Sequence, residues 1–202
     1  MLRFLLKSYN KLYVLIYEPW LHLLGRAYLV AAGVYFGRGV KLFGLPIVSV
    51  HPKSKIVVGD NLTLRSISRG NAIGVNHPVI LRTLAAGAVL QLGNRIGMSG
   101  GAICAQQSIV IGDDVLIGAN VVIADNDFHP LSYESRKNGN DDIVAKSIVI
   151  ERGVWIGADV YICKGVTIGE KSVIGAKSVV TKSIPSNCIA AGIPAKVVSE
   201  NV

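Results

Sequence analysis

The residues best suited to chemistry stand together in Asp125-Asn126-Asp127-Phe128-His129-Pro130. An imidazole, with an unperturbed pKa of ~6.5, can take a proton near neutrality, so His129 is the candidate general base toward a hydroxyl. Asp125 and Asp127 are candidates to orient that imidazole or to hydrogen-bond a hydroxylated acceptor. Either could instead bond turn amides, which Asp and Asn commonly do. The other histidines carry less signal. His51 and His77 also precede prolines, so His-Pro alone is uninformative, and His22 falls in a helical stretch. Cys104, Cys163 and Cys188 lack a neighbouring histidine and metal-ligand spacing, which fits small hydrophobes. No Ser or Cys sits in a nucleophile elbow, which argues against a covalent enzyme intermediate.

The element that must position His129 is a six-residue repeat. Hexads begin at Ile111, Ile117 and Ile123, stop at the DNDFHP stretch, and resume at Ile150, Ile156, Ile162, Ile168, Ile174 and Val180. Val154, Val160, Val166, Ser172 and Ser178 follow four residues after each of the later positions. A period of six with β-branched residues at the fixed place is a β-helix pattern, each hexad giving a short strand and a turn, three hexads a triangular coil. Gly157, Gly169 and Gly175 follow the aliphatic where a Cβ would crowd a tight corner. Upstream, Leu92, Met98 and Cys104 continue the repeat at inward positions, with a one-residue slip before Ile111. Val58–Leu62 forms a hexad, and Ser66–Val79 reads as a loop or distorted coil. Pro130–Lys146 is polar and lacks the hexad. A polar excursion from a rigid solenoid is more often functional than decorative.

The chain divides into an N-terminal amphipathic helical segment, residues 1–35, and a repeat domain, residues 36–202, with a loop excursion at 130–146. Leu2, Leu5, Leu6, Tyr9, Leu12, Tyr13 and Ile16 share one helical face opposite Arg3, Lys7 and Lys11. Pro19 suits the first turn of a second helix, running to about Val34. The segment reads as a helical cap on the first coil or on a neighbouring subunit; the alternative is a basic helix on an anionic membrane surface. Its longest apolar run, Ala27–Gly37, falls short of the ~20 residues that span a bilayer, and no cleavable signal closes it. Three cysteines, an odd number, point with that absence to a reducing compartment. The expected place is the cytoplasm, peripheral at the inner membrane surface if the basic helix binds lipid. Half the residues are hydrophobic and 17% charged, as in a folded protein. A net charge of +8 favours anionic partners, but no aromatic RNA-binding motif or basic recognition helix supports nucleic acid.

The hexads, the DNDFHP stretch, Arg136-Lys137-Asn138-Gly139, and the run VWIGADVYICKGVTIGEKSVIGAKSVVTKSIPSNCIAAGIPAKVV resemble the hexapeptide-repeat acyltransferases. The branch is that of the galactoside, maltose, nodulation and polysaccharide O-acetyltransferases. The likeness covers residues 90–198 well, 36–90 loosely, and the N-terminal helices not at all. It implies an all-β fold, a left-handed parallel β-helix with an N-terminal helical segment. It also implies a homotrimer with intersubunit active sites, acetyl-CoA as donor, no metal, and a hydroxyl of a sugar or surface polysaccharide precursor as acceptor. His129 matches the family's catalytic position. On the donor side Trp155, Ala158, Ala176, Thr181, Lys182 and Lys196 match cofactor-contacting positions; small residues let the thin pantetheine arm lie on the coil, and cations suit its phosphates. Residues 191–195 read as an extended tail closing that groove. The chain departs from its relatives at Met98-Ser99-Gly100-Gly101, where the galactoside enzymes place an acceptor-binding Asn. Ser99 is the candidate substitute, and Arg136 a further acceptor or orienting candidate.

Three other readings stay open. One is N-acetylation of an amino sugar or small amine, since the motifs report donor and base rather than acceptor. Another is a zinc hydratase using His51, His77 and His129. The third is a non-catalytic trimeric module.

Overall fold

The computed structural model describes residues 18–139 and 142–200; the amphipathic stretch of residues 2–16 lies outside them. Eighteen short strands wind into six successive three-sided coils, closed by a hairpin. The first coil holds β1 (Val34–Phe36), β2 (Lys41–Phe43) and β3 (Ile47–Ser49), and the second β4 (Lys55–Val58), β5 (Thr63–Arg65) and β6 (Ile80–Thr83). The third holds β7 (Val89–Leu92), β8 (Gly97–Ser99) and β9 (Ala102–Ala105), and the fourth β10 (Ser108–Ile111), β11 (Leu116–Ala119) and β12 (Val122–Ala124). The fifth is β13 (Ile148–Ile150), β14 (Trp155–Ile156) and β15 (Tyr161–Ile162), the sixth β16 (Thr167–Ile168), β17 (Val173–Ile174) and β18 (Val179–Val180). Equivalent strands pair in parallel to make three sheets: A (β1-β4-β7-β10-β13-β16), B (starting β2-β5-β8) and C (β3-β6-β9-β12-β15-β18). This is the parallel β-helix that the hexads predict.

The register explains the repeat. Leu92, Ile111, Ile150 and Ile168 align in sheet A, Met98, Ile117, Ile156 and Ile174 in sheet B, and Ile103, Ile123, Ile162 and Val180 in sheet C. All of these side chains are buried in one continuous core. The second set stands two residues ahead of each and points inward as well, so Val154, Val160 and Val166 join the core while Ser172 and Ser178 turn their hydroxyls to the Pro185 and Gly175 carbonyls.

The glycines after the aliphatic are required by coil spacing. A Cβ on Gly157 would stand 2.6 Å from the Ala176 nitrogen, and one on Gly169 2.4 Å from the Ser186 nitrogen. Left-handed backbone is taken instead by polar corner residues such as Asp114, Asn120, Asp159, Lys171 and Lys177.

Three expectations are corrected. Ile103, not Cys104, holds the inward place: the step from Met98 to Ile103 is five residues, one short at Ser99-Gly100-Gly101 where the β8–β11 register shifts, and the step from Ile103 to Ile111 is eight. Residues 191–195 are not an extended tail, since β19 (Cys188–Gly192) and β20 (Ala195–Glu200) form an antiparallel hairpin on sheet B with Ile193-Pro194 in its turn. The helix after Pro19, α1 (Glu18–Ala31), stops short of Val34, which already begins β1.

Helix α1 packs on the first coil through His22, Gly25, Tyr28 and Leu29. His22 Nδ1 accepts from the Leu42 amide at 3.0 Å and its ring meets Phe43 edge-on, so His22 is an anchor and not merely a helical residue. The Tyr28 hydroxyl accepts from the Val48 amide at 3.1 Å. Trp20, Leu23, Leu24 and Val30 face outward. Among the described residues no helix is long and apolar enough to cross a membrane.

Gly101 is the tightest point of the short turn, with φ +76° and a Cβ position 2.2 Å from the Val121 carbonyl oxygen. Gly101→Ala should therefore cost about 2–4 kcal/mol, seen as a melting temperature lower by roughly 5–12 °C in a thermal unfolding scan.

Candidate functional site

The DNDFHP stretch follows β12 directly, at the corner where sheet C turns into sheet A. Its first carboxylate is scaffold. Asp125 is fully buried; Oδ1 accepts from the Gln106 amide at 2.7 Å, and Oδ2 from the Gln107 and Ser108 amides at 2.8 and 2.7 Å. The Asn126 side-chain amide adds a fourth donor at 3.2 Å. These bonds tie the exit of the fourth coil to the corner of the third. With both oxygens committed and no surface exposed, Asp125 is not available to orient an imidazole or bind an acceptor, and that expectation is corrected.

The excursion is pinned at its base. Asn126 bridges Ala145, the Lys146 amide donates to the Asp125 carbonyl at 2.8 Å, and Asn126 Oδ1 accepts from the Phe128 amide at 2.8 Å. Phe128 takes left-handed backbone, φ 61°, turning the chain so that His129 stands exposed at the corner. Beyond it, α2 (Tyr133–Asn138) is capped by Ser132 and ended by left-handed Gly139. Arg136 reaches back from this helix, one guanidinium nitrogen donating to the carbonyls of Pro130 (2.9 Å) and Leu131 (2.7 Å). It thus clamps the chain immediately after His129.

Asp127 is placed differently from Asp125. Its Oδ1 accepts from the Lys164 ammonium, a residue at the same corner one coil on, and both side chains are about four-fifths covered. Its Oδ2 is buried and finds no hydrogen-bond donor among the described residues. Asn126, Asp127, Phe128, Tyr161, Cys163 and Lys164 line a pocket of about 280 Å³. Burial pushes the Tyr161 hydroxyl above its ordinary pKa, with the charges of Cys163, Cys104 and Asp127 adding to it. Burial likewise raises the Cys163 thiol, Lys164 opposing and Asp127 assisting. Lys164 carried no sequence motif of its own. The signal available was positional, a cation at the corner one coil beyond a carboxylate.

Of the donor candidates, Ala158, Ala176, Thr181 and Lys182 occupy the two edges of sheet C, while Trp155 and Lys196 lie on sheet B. Trp155 is exposed on β14 of sheet B, and Ala158 and Ala176 lie at the corner between sheets B and C, where Gly118, Gly157 and Gly175 each sit against the next coil and keep the ridge bare of bulk. Ala158 is half-buried and Ala176 exposed. Thr181 and Lys182 follow β18 at the corner between sheets C and A, two coils past the His129 corner, and both are exposed. Lys196 is exposed in β20 of the closing hairpin. Ser99 is buried at the B–C corner of the third coil, across sheet C from His129. A single chain therefore holds the histidine on one edge and the bare ridge on the other.

His51 and His77 lie apart from this corner, each with Nδ1 2.7 Å from the carbonyl of its own following proline. Among the described residues no three His, Cys, Asp or Glu group to hold a metal.

The bacterial transferase hexapeptide (six repeats) family matches residues 147–182, and the hexapeptide repeat of succinyl-transferase matches residues 95–124. Over these two stretches the chain carries hexapeptide repeats, and it resembles the galactoside and polysaccharide O-acetyltransferases. It is 50% identical over 93 residues to the galactoside O-acetyltransferase of Escherichia coli (strain K12), a match covering 46% of this chain and 44% of that protein. The chain thus spans less than half the length of this curated relative. A galactoside acetyltransferase solved in complex with coenzyme A is 28% identical, with a TM-score of 0.52 over 92% of this chain and 82% of that one. A hexapeptide-repeat-containing acetyltransferase from Vibrio cholerae O1 biovar eltor, complexed with acetyl-coenzyme A, is 25% identical, with a TM-score of 0.54 over 88% and 77%.

Removing the Asp125 carboxylate leaves three corner amides without acceptors. Asp125→Ala should cost about 3 kcal/mol or more in denaturant unfolding, whereas an exposed carboxylate would cost about 0.5 kcal/mol or less.

Proposed function

We propose that the protein transfers an acetyl group from acetyl-CoA to a hydroxyl of a sugar or surface polysaccharide precursor, with His129 as general base. The observation that carries this reading is the exposed imidazole held at a corner by a pinned turn, beside a solenoid whose next corner is a bare ridge of small residues. Both features belong to a chain similar to galactoside O-acetyltransferases.

In the proposed reaction His129 takes the proton of the acceptor hydroxyl as its oxygen attacks the thioester carbonyl. A carbon–oxygen bond forms, the carbon–sulfur bond breaks, and the proton passes from the imidazolium to the departing thiolate. No acyl-enzyme is formed. Asp127, the carboxylate of the turn left with an unpartnered oxygen, takes the supporting role first shared between Asp125 and Asp127. The pantetheine arm lies along Trp155, Ala158 and Ala176, while Thr181, Lys182 and Lys196 serve the phosphate-bearing end. The histidine and the ridge stand on opposite edges of one chain's sheet C, which supports a site completed between copies, and the likeness to the acetyltransferases implies a homotrimer. Ser99 and Arg136 stand on the acceptor side.

His129→Ala should lower acetyl transfer by about 10²–10⁴-fold while CoA affinity stays within about twofold. Turnover of acetyl-CoA with a panel of sugars, nucleotide sugars, amino sugars and serine reads the first quantity and names the acceptor, and calorimetric CoA titration reads the second. Full activity in His129→Ala removes the histidine from the mechanism; transfer only to amines replaces the O-acetyl reading with N-acetylation.

A further inference from the structure

Helix α1 stands where a coil would. In the first coil the Lys41 and Ile47 amides donate to the Leu62 and Val79 carbonyls of the second coil. The amides next in sequence, of Leu42 and Val48, donate instead to the His22 ring and the Tyr28 hydroxyl of α1. Successive amides of a strand point to opposite neighbours, so these bonds set the helix on the edge that a preceding coil would cover. Gly25 and Leu29 close the contact: a Cβ on Gly25 would fall 2.5 Å from Leu42 Cδ1, and Leu29 joins the core of the solenoid.

A helix that ends a solenoid in water needs a polar outer face, and α1 lacks one. His22, Gly25 and Leu29 share the inward side, while Trp20, Leu23, Leu24, Ala27, Val30 and Ala31 fall at helical spacing on the opposite side. All six are exposed, the four large ones between 59% and 66%. Of the 14 residues of α1 only Glu18 and Arg26 carry a formal charge, and Arg26 is exposed beside the apolar stripe. The charge of the chain gathers at the same end. Residues 1–59 hold eight lysines and arginines against one carboxylate, Glu18, whereas the residues after them hold thirteen against twelve. Arg38 and Lys41 of the first coil and Lys53 and Lys55 beside the second are all exposed. Nearly the whole net charge of +8 thus belongs to the stretch that carries the apolar helix face.

We infer that α1 is a two-faced end cap whose outward stripe docks on an anionic lipid bilayer. Trp20, Leu23, Leu24 and Val30 enter the boundary between headgroups and acyl chains, and Arg26 with the cations of the first coils faces the lipid phosphates. Apolar side chains at that depth and cations near a negative surface are the two contributions that hold an interfacial helix. Tryptophan suits the place, having an apolar body and an N–H for the wet side. The charge selects a lipid surface over a second copy of this chain, which would bring the same excess of cations against itself. The docking face lies on the first coil and the His129 turn leaves the fourth, so the two surfaces are separate and neither depends on the other.

The test is co-sedimentation of the full-length protein with phosphatidylcholine vesicles, with and without phosphatidylglycerol. The protein should bind the anionic vesicles, and bind those of phosphatidylcholine alone about tenfold more weakly or less. The double variant Leu23→Gln/Leu24→Gln should lower the partition coefficient about tenfold or more, and Arg26→Gln about fivefold. Trp20 and Trp155 are the two tryptophans of the chain, so in Trp155→Phe the emission reports Trp20 alone, and it should shift to the blue when anionic vesicles are added. No binding to anionic vesicles overturns the inference. So does binding that the double variant leaves undiminished, or a Trp20 emission that stays still while the protein binds; either result moves the contact off α1. A stripe covered by a second copy shows as a smaller assembly of the double variant in sedimentation velocity without vesicle binding by the unchanged protein, which overturns the inference as well. Should the double variant not fold, the Trp20 emission decides: a blue shift on anionic vesicles supports the docking and its absence overturns it.

Discussion

The close backbone stacking of one coil on the next is the constraint on which the rest depends. Parallel strands two to four residues long hydrogen-bond to their counterparts one turn away, so every corner must bring its main chain within van der Waals distance of the corner below. That admits glycine at the touching positions, as at Gly112, Gly118, Gly157 and Gly169, and drives the aliphatic column inward. The bare ridge between sheets B and C is a by-product of the same spacing. A surface suited to a thin extended ligand arises here from the rule that lets the coils stack.

Stacking also explains how an exposed histidine is held. A chain leaving a solenoid forfeits ladder hydrogen bonds, and the departing corner must find other partners. Asp125 supplies them on the inside by accepting the amides of the preceding coil. Lys164 supplies the next link from the following coil. The turn that carries His129 is thus held on one side by the Gln106, Gln107 and Ser108 amides and on the other by the Lys164 ammonium. Rigid support of this kind is what a base needs if it is to meet a hydroxyl without reorganising.

Much of the fold was legible because the hexad is a statement about packing: each Ile or Val of the later coils lies where the period of six puts it. The third coil was harder. Cys104 matched the period, but the turn at Gly100-Gly101 is one residue short and Ile103 turns inward instead. Pattern counting cannot see a deletion inside a turn whose glycines permit it. At the site, His129 stood out by type and by its place at the break in the repeat. Asp125 and Asp127 looked alike in sequence, and only their surroundings separate them, four donors on one and a lysine on the other. That lysine is remote in sequence and adjacent only because one coil lies on another.

The central claim is that the histidine of one copy works against the small-residue ridge of another. Co-expression of two inactive variants tests it most directly: His129→Ala, which lacks the base, and Ala176→Trp, which fills the ridge. If sites form between copies, mixed oligomers contain some sites with an intact histidine facing an intact ridge, and acetyl transfer reappears at a fraction of the unmodified rate. Mixed oligomers that form but remain as inactive as either variant alone would contradict the account.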